Sequence, residues 1–358
     1  MANQPSARSG RRIAIIRLTS LGDVVHTLPV AAALRRHEPT ARLIWLVEEH
    51  EQILLRDNDV VDDVLLVPLR RWREQLTSAD GRRDVRHEVG ALRRQLLDLK
   101  IDVAIDVQGW THKTSPLVWL THAPLRVGFD WEYARHPLST LFTTVHVTPP
   151  PAAAHVVDQN LALLGPLGIS APGEPEFPLP AFAEAEERIA AWLREHDGSL
   201  ARRRIALLPA TRGAAKHWPA ESYHELATRL LAAGDSIVFI LGGPGEESRL
   251  EQVRGDLPHD RAVMWSDGPI PDLAALLRRM HLAVGNDTGP LHLAVLHDVP
   301  SLGLFGPTRG QRNGPYGRHG AFLQSPTGRM PDISVDDVIA AVARLTAATT
   351  TSRAAASQ

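Results

Sequence analysis

The 358-residue chain contains no cysteine. That excludes disulfides, thiolate metal sites and a cysteine nucleophile, and accords with a reducing cytosol. No apolar run reaches the roughly 18–20 residues of a membrane span. Neither sign of charge dominates: 39 Lys and Arg stand against 41 Asp and Glu, a net charge of −2. There is no global basic field to attract nucleic acid. The polar start MANQPSARSGRR is followed by IAIIRL, too short an apolar stretch for a signal peptide. Motifs are missing too. There is no Walker A sequence, no GxSxG, no GxGxxG after the first strand and, among 17 histidines, no HExxH. P-loop ATPase, serine hydrolase, nicotinamide dehydrogenase and zinc hydrolase readings lose their best signals.

What is present is an ordinary globular composition, 44% hydrophobic and 22% charged, long enough for two domains. Short apolar runs at 13–18, 43–47, 64–67 and 103–107 read as buried parallel strands, with helices at 24–36 and 85–99 between them. Pro29 should kink the first helix or displace its regular start. Pro/Gly breaks between 149 and 180, around one helix at 156–167, read as the approach to an inter-domain linker. The alternation then restarts. Strands are expected at 205–208, 236–241, 282–284 and 301–304. Helices are expected at 183–194, 222–233, from 246, at 272–280, 290–296 and 335–345. The fold class is α/β, two doubly wound parallel-sheet halves. Residues 1–10 and the Ala/Thr/Ser tail are expected to be disordered. In such sheets ligands bind beyond the carboxyl ends of the strands.

The loops at those ends carry the chemistry. Gly285-Asn286-Asp287-Thr288-Gly289 lies between a strand and a helix opened by Pro290. It suits either a capped βα turn or a phosphate seat at a helix start. Asp23, after Gly22, is either a first-turn cap or a general base removing a proton from an acceptor hydroxyl. Lys216 is either a solvated loop lysine or a clamp on a diphosphate leaving group. Glu246 is either a first-turn helix glutamate or an acceptor for ribose hydroxyls. Arg70, Arg71 and Arg73 around Trp72 are either a solvated surface or a seat for an anionic acceptor, with Lys113 and Arg135 in later loops of the same half. Asp57-Asn58-Asp59 matches a metal-binding DxD pattern but reads better as a polar surface loop.

Several blocks together resemble glycosyltransferase family 9, the ADP-heptose:lipopolysaccharide heptosyltransferases. They are IAIIRLTSLGDVVHTLPVAAALRR, with its S-x-G-D-x-x-H-T-L-P pattern, then TRGAAKHWPAESYHEL, GGPGEE, GNDTGPLHLAVL and LFGPTR. WLVEE, LRRWRE, DVQGWTHKTS and FDWEYARHPLSTLF are most similar to the heptosyltransferase I branch, which adds the first heptose to Kdo. The resemblance implies a GT-B fold, two Rossmann-like domains facing a central cleft. The acceptor domain would span 1–175 and the nucleotide-sugar domain 176–333. A helix over 334–347 would cross back to the first domain, ahead of a disordered tail at 348–358. It implies inverting transfer from ADP-heptose to Kdo-lipid A, without metal or other cofactor and without nucleic acid. The protein would sit at the cytoplasmic face of the inner membrane, in peripheral contact with it. Position by position, Asp23 matches the base, and Thr19, Ser20 and Gly22 its loop beside the donor phosphates. Lys216 matches the diphosphate lysine, Glu246 the ribose carboxylate and Asp287 the residue holding heptose hydroxyls. Thr288 and Gly289 match the phosphate-binding helix start, with His292 on that helix. Arg70, Arg71, Arg73, Lys113 and Arg135 match basic acceptor-side positions. Two departures stand out: Glu74 replaces a usual lysine, and the 268–270 stretch lacks the adenine-lining methionine.

Overall fold

The computed structural model describes residues 10–111, 113–197 and 203–356, with side chains to 348. The expected disorder of residues 1–10 lies outside the described residues except at Gly10, whose N–H donates to the Thr40 carbonyl (3.1 Å). The chain divides into two units, Met1–Pro180 and Ala181–Gln358, at the end of the Pro/Gly-broken stretch and a few residues beyond the boundary that the resemblance implies.

The first unit contains six parallel strands: β1 (Arg12–Ile16), β2 (Arg42–Val47), β3 (Asp63–Leu66), β4 (Val103–Asp106), β5 (Leu125–Phe129) and β6 (Val145–Val147). The second contains β7 (Arg203–Leu208), β8 (Ser236–Leu241), β9 (Ala262–Trp265), β10 (Leu282–Asn286), β11 (Ser301–Phe305) and β12 (Gly320–Gln324). The sheet orders are β3-β2-β1-β4-β5-β6 and β12-β11-β10-β7-β8-β9. Counted within its own unit, each is 3-2-1-4-5-6, the dinucleotide-binding order. The inner strands are buried along almost their whole length, which is why they read as unbroken apolar runs. Four strands escape that signal: β5, β6, β9 and β12. Three are sheet edges; β6 has only three residues, and neither β6 nor β12 has a fully buried position.

Helices cover both faces. Pro29 displaces a helix start as expected: a one-turn helix Leu21–Val25 gives way to Leu28–His37, with the proline in the first turn of the second. Helix Ala79–Asp98 starts earlier than its apolar period, because Ser78 caps it through the Gly81 N–H (3.0 Å). The expected C-terminal helix is corrected in its length. It runs Val335–Ala356, so alanine-rich sequence prolongs helix where a disordered tail was expected. Its residues Val338, Ala341, Val342 and Leu345 are buried in the second unit's own core with Trp218, Tyr223 and Leu302.

Candidate active site

In each sheet the strand order reverses between the first and fourth strands, β1 and β4 or β7 and β10. The carboxyl ends of those pairs are where such sheets bind ligands.

In the second unit, β10 ends in the fully buried Asn286. Its Nδ2 donates to the Pro209 carbonyl (2.7 Å), and its Oδ1 lies 3.2 Å from the Trp218 N–H and 3.1 Å from the Tyr223 hydroxyl. This side chain staples the loop after β7 to the end of β10. On that base, Thr211 Oγ1 donates to the Asp287 carbonyl (2.7 Å) and Lys216 Nζ meets Asp287 Oδ2 (2.7 Å). Residues 71 positions apart in sequence thus form one ion pair. Thr288 occupies the N-cap position of helix Gly289–Leu296, yet its side chain makes no cap bond. With the Asp287 carboxylate turned to Lys216, the capped-turn alternative loses both its cap side chains. The helix start therefore offers backbone N–H and the Thr288 hydroxyl beside a lysine. His292 is placed differently. It is 3% exposed, on the next turn of that helix.

Glu246 serves its own turn. It stands at the N-cap position of helix Glu247–Arg254 without a side-chain cap bond, and its Oε2 accepts the Gly243 N–H (2.7 Å) across a bend that places Gly245 at φ +86°. Arg249 carried no signal in the sequence, yet it clamps the Lys216 loop. Its Nε donates to the Pro209 carbonyl (2.7 Å) and its second arm to that of Trp218 (2.6 Å). Gly268 is pressed on the Trp265 ring, where an added Cβ would lie 2.0 Å from Cζ2.

In the first unit, Asp23 is the N3 partner of a capping box with Ser20. Ser20 donates to its Oδ2 through N–H (3.0 Å) and hydroxyl (3.1 Å), while Oδ1 forms an ion pair with Arg17. The Asp23 side chain nevertheless keeps 40% of its surface. Burial pushes its carboxyl up, but the Arg17 guanidinium and the Ser20 hydrogen bonds outweigh this and hold it below the usual aspartate range. Gly22 is buried and Thr19 half-buried on the same loop. Arg17, unremarked in the sequence, is itself buried, with one arm donating to the Val107 carbonyl (3.1 Å). Its only trace was an arginine closing an otherwise apolar strand.

Two of the five basic acceptor-side candidates lie over the Trp110 ring, and the charges of Arg70 and Arg73 act on one of them, Lys113. Lys113 Nζ lies 3.6 Å from the ring centroid and the Arg135 guanidinium 4.7 Å from it. Burial lowers the Lys113 pKa, as does the positive field of Arg73, Arg135 and Arg70, with buried Glu48 opposing them. Arg70 Nε stands 3.7 Å from Glu48. Arg71 is placed differently. It forms a fork with Glu88 of the neighbouring helix (2.9 Å for both bonds), which also accepts the Trp72 indole N–H (2.7 Å). Buried Asp106, also missed, holds the Trp110–Lys113 loop by accepting Gln108 N–H (3.1 Å), Gly109 N–H (2.8 Å) and Ser115 hydroxyl (3.2 Å).

The Asp57–Asp59 triplet is a loop. Asn58 is buried and its amide holds the carbonyls of Leu54 (3.0 Å) and Pro178 (2.9 Å). Among the described residues no three His, Asp or Glu side chains gather as a metal site, and no helix is long and apolar enough to cross a membrane.

Comparison with known proteins agrees with this geometry. The family model for glycosyltransferase family 9 (heptosyltransferase) matches residues 89–342. Lipopolysaccharide heptosyltransferase 1 of Escherichia coli K12 is 28% identical over 92% of this chain and 98% of its own. Its counterpart from Pseudomonas aeruginosa is 29% identical over 88% and 84%. The solved structure of E. coli heptosyltransferase WaaC with ADP-2-deoxy-2-fluoro heptose superposes with a TM-score of 0.72 at 26% identity, covering 93% of this chain and 99% of that one. The paired Rossmann-like units are those of the GT-B fold. The chain belongs to glycosyltransferase family 9 and is a glycosyltransferase.

Proposed function

We propose that this enzyme transfers a heptose from ADP-heptose to Kdo of the lipopolysaccharide inner core, with inversion and without a metal. The observation that carries the reading is the Lys216–Asp287 pair beside the uncapped start of helix Gly289–Leu296. A cation and free backbone donors at the switch point of a Rossmann-like sheet form a seat for a nucleoside diphosphate. In this reading Thr288, Gly289 and Lys216 hold the diphosphate, with Thr19 and Ser20 bordering it. Asp287 orients heptose hydroxyls and Glu246 the ribose. Arg70, Arg73, Lys113 and Arg135 receive the anionic Kdo acceptor. Asp23 accepts the proton of the Kdo hydroxyl as that oxygen bonds to the anomeric carbon. The anomeric C–O bond breaks and its electrons leave with ADP. Lys216 and the helix N–H groups offset the charge growing on the diphosphate, the task that a metal performs in other transferases. The acceptor is a lipid, so the enzyme works at the cytoplasmic face of the inner membrane.

The acceptor assignment is tested by offering Kdo-lipid A with and without a first heptose. Heptose-free Kdo-lipid A should gain one heptose by mass spectrometry. Transfer confined to the already heptosylated form would move the enzyme one step later in the core. Conversion of the donor alone, with no acceptor present, would indicate an epimerase.

Arg17 provides a separate check on the base. Asp23 must be ionised to act, so activity falls as pH drops through its pKa. With Arg17 in place that pKa lies below the ordinary value of about 3.9 and leaves no acid limb near neutrality. Arg17→Met removes the cation but not the burial, so the acid limb of kcat/KM should move to higher pH. An unmoved profile would remove Asp23 from the proton transfer.

A further inference from the structure

The Kdo-binding cations adjoin a second surface that the transfer chemistry does not use. Nine large apolar side chains stand exposed among the described residues, and five of them lie between 119 and 141. Leu141 is 78% exposed, Trp131 65%, Leu138 64%, Trp119 54% and Tyr133 38%. Four of these belong to the connection between β5 and β6. The fifth lies on helix Ser115–Leu120, which packs against the 3₁₀ helix Pro137–Phe142 of that connection. Leu138 and Leu141 are three residues apart on the 3₁₀ helix, so they share one edge.

The segment is firmly braced. Asp130 Oδ1 accepts the N–H groups of Glu132 (3.2 Å) and Tyr133 (3.1 Å), and the His136 N–H donates to the Gly109 carbonyl (3.0 Å). Arg126 Nε holds the Phe142 carbonyl (2.8 Å). Leucine and tryptophan are thus displayed to water on a scaffold that fixes them there. Arg135 stands within the same connection and shares the Trp110 ring with Lys113, which puts the basic cluster at the edge of the apolar display. Glu132 is the exposed acid among them.

Exposed tryptophan, tyrosine and leucine flanked by cations match the boundary between headgroups and acyl chains of an anionic bilayer. We propose that the 130–142 connection, together with Trp119, is the surface by which this enzyme seats on an anionic membrane. Trp131, Leu138 and Leu141 would enter the interface while Arg135 and its neighbouring cations face the headgroups. The inference rests on the reading above, in which the same unit receives a lipid-anchored acceptor. A membrane seat beside the acceptor cations lets Kdo be reached without lifting the lipid from its bilayer.

The test is co-sedimentation of the full chain with phosphatidylcholine vesicles, with and without phosphatidylglycerol. Wild type should pellet with the anionic vesicles and be released by salt. The Leu138→Ser/Leu141→Ser and Trp131→Ser variants should each bind roughly tenfold or more weakly. Transfer to a water-soluble, delipidated Kdo acceptor should be unchanged in both, which also shows that they fold. Wild type left in the supernatant, or variants that pellet as wild type does, would overturn the proposal. So would a wild-type dimer that the variants lose in sedimentation velocity, since a second copy would then cover this face. Vesicle binding that persists while no Kdo acceptor is used would leave the surface standing and remove the acceptor reading instead.

Discussion

Replacing Asp23 with alanine is expected to cut turnover by about 10²- to 10⁴-fold, the usual worth of a positioned general base. The carboxylate is the one group of its loop that is ionised, braced and still accessible. Ser20 fixes one oxygen, Arg17 the other, and 40% of the side chain remains open to an acceptor. Its lowered pKa keeps it deprotonated at neutral pH, although the same Arg17 that ionises it also weakens it as a base. Alanine leaves the Arg17 charge buried without its partner, which threatens the fold as well as the chemistry. Asp23→Asn is therefore the control: it retains the shape and a Ser20 acceptor but not the charge or the basicity. Both variants should lose turnover while ADP-heptose binding persists, the donor being held by the other unit. Near-normal turnover in Asp23→Asn, with melting unchanged, would take the proton transfer away from this residue.

The second large effect is expected at Lys216. Its ammonium meets Asp287 Oδ2 at 2.7 Å and stands at the helix start, where leaving-group charge would collect. Lys216→Met should lower kcat by roughly 10²- to 10³-fold, as loss of one preorganised donor does when charge develops in the transition state. Asp287→Asn should also lower kcat, because it frees the lysine from its anchor and removes a contact to the sugar. The double variant should fall by much less than the product of the two single effects, since each residue positions the other. Strictly multiplicative effects, measured as kcat/KM, would show the pair to be two independent contacts.

How much of this was legible follows from which residues speak locally. Buried central strands such as β8 and β10 announce themselves as apolar runs, and Thr288–Gly289 can be read as a helix start from its own neighbours. The edge strands β6 and β12 bury one side at most, so no run forms. Arg70, Arg73, Lys113 and Arg135 could be named as basic loop residues, but nothing local distinguished them from Arg71, whose partner Glu88 lies 17 positions away on another helix. The brace residues were less visible still. Arg17 bonds to Val107, 90 positions on, and Asn286 to Pro209, 77 positions back. A buried polar side chain whose partners are distant leaves no periodic or compositional mark. The C-terminal helix misled for a different reason: its apolar residues end near Leu345, whereas the alanine-rich sequence beyond them carries helix on to Ala356 without any apolar period to mark it.

The most direct test is ADP release from ADP-heptose by wild-type enzyme, with and without Kdo-lipid A, in the presence of EDTA. The account predicts release that depends on the acceptor and is undiminished by the chelator. Release abolished by EDTA, or equal with and without Kdo-lipid A, would contradict it.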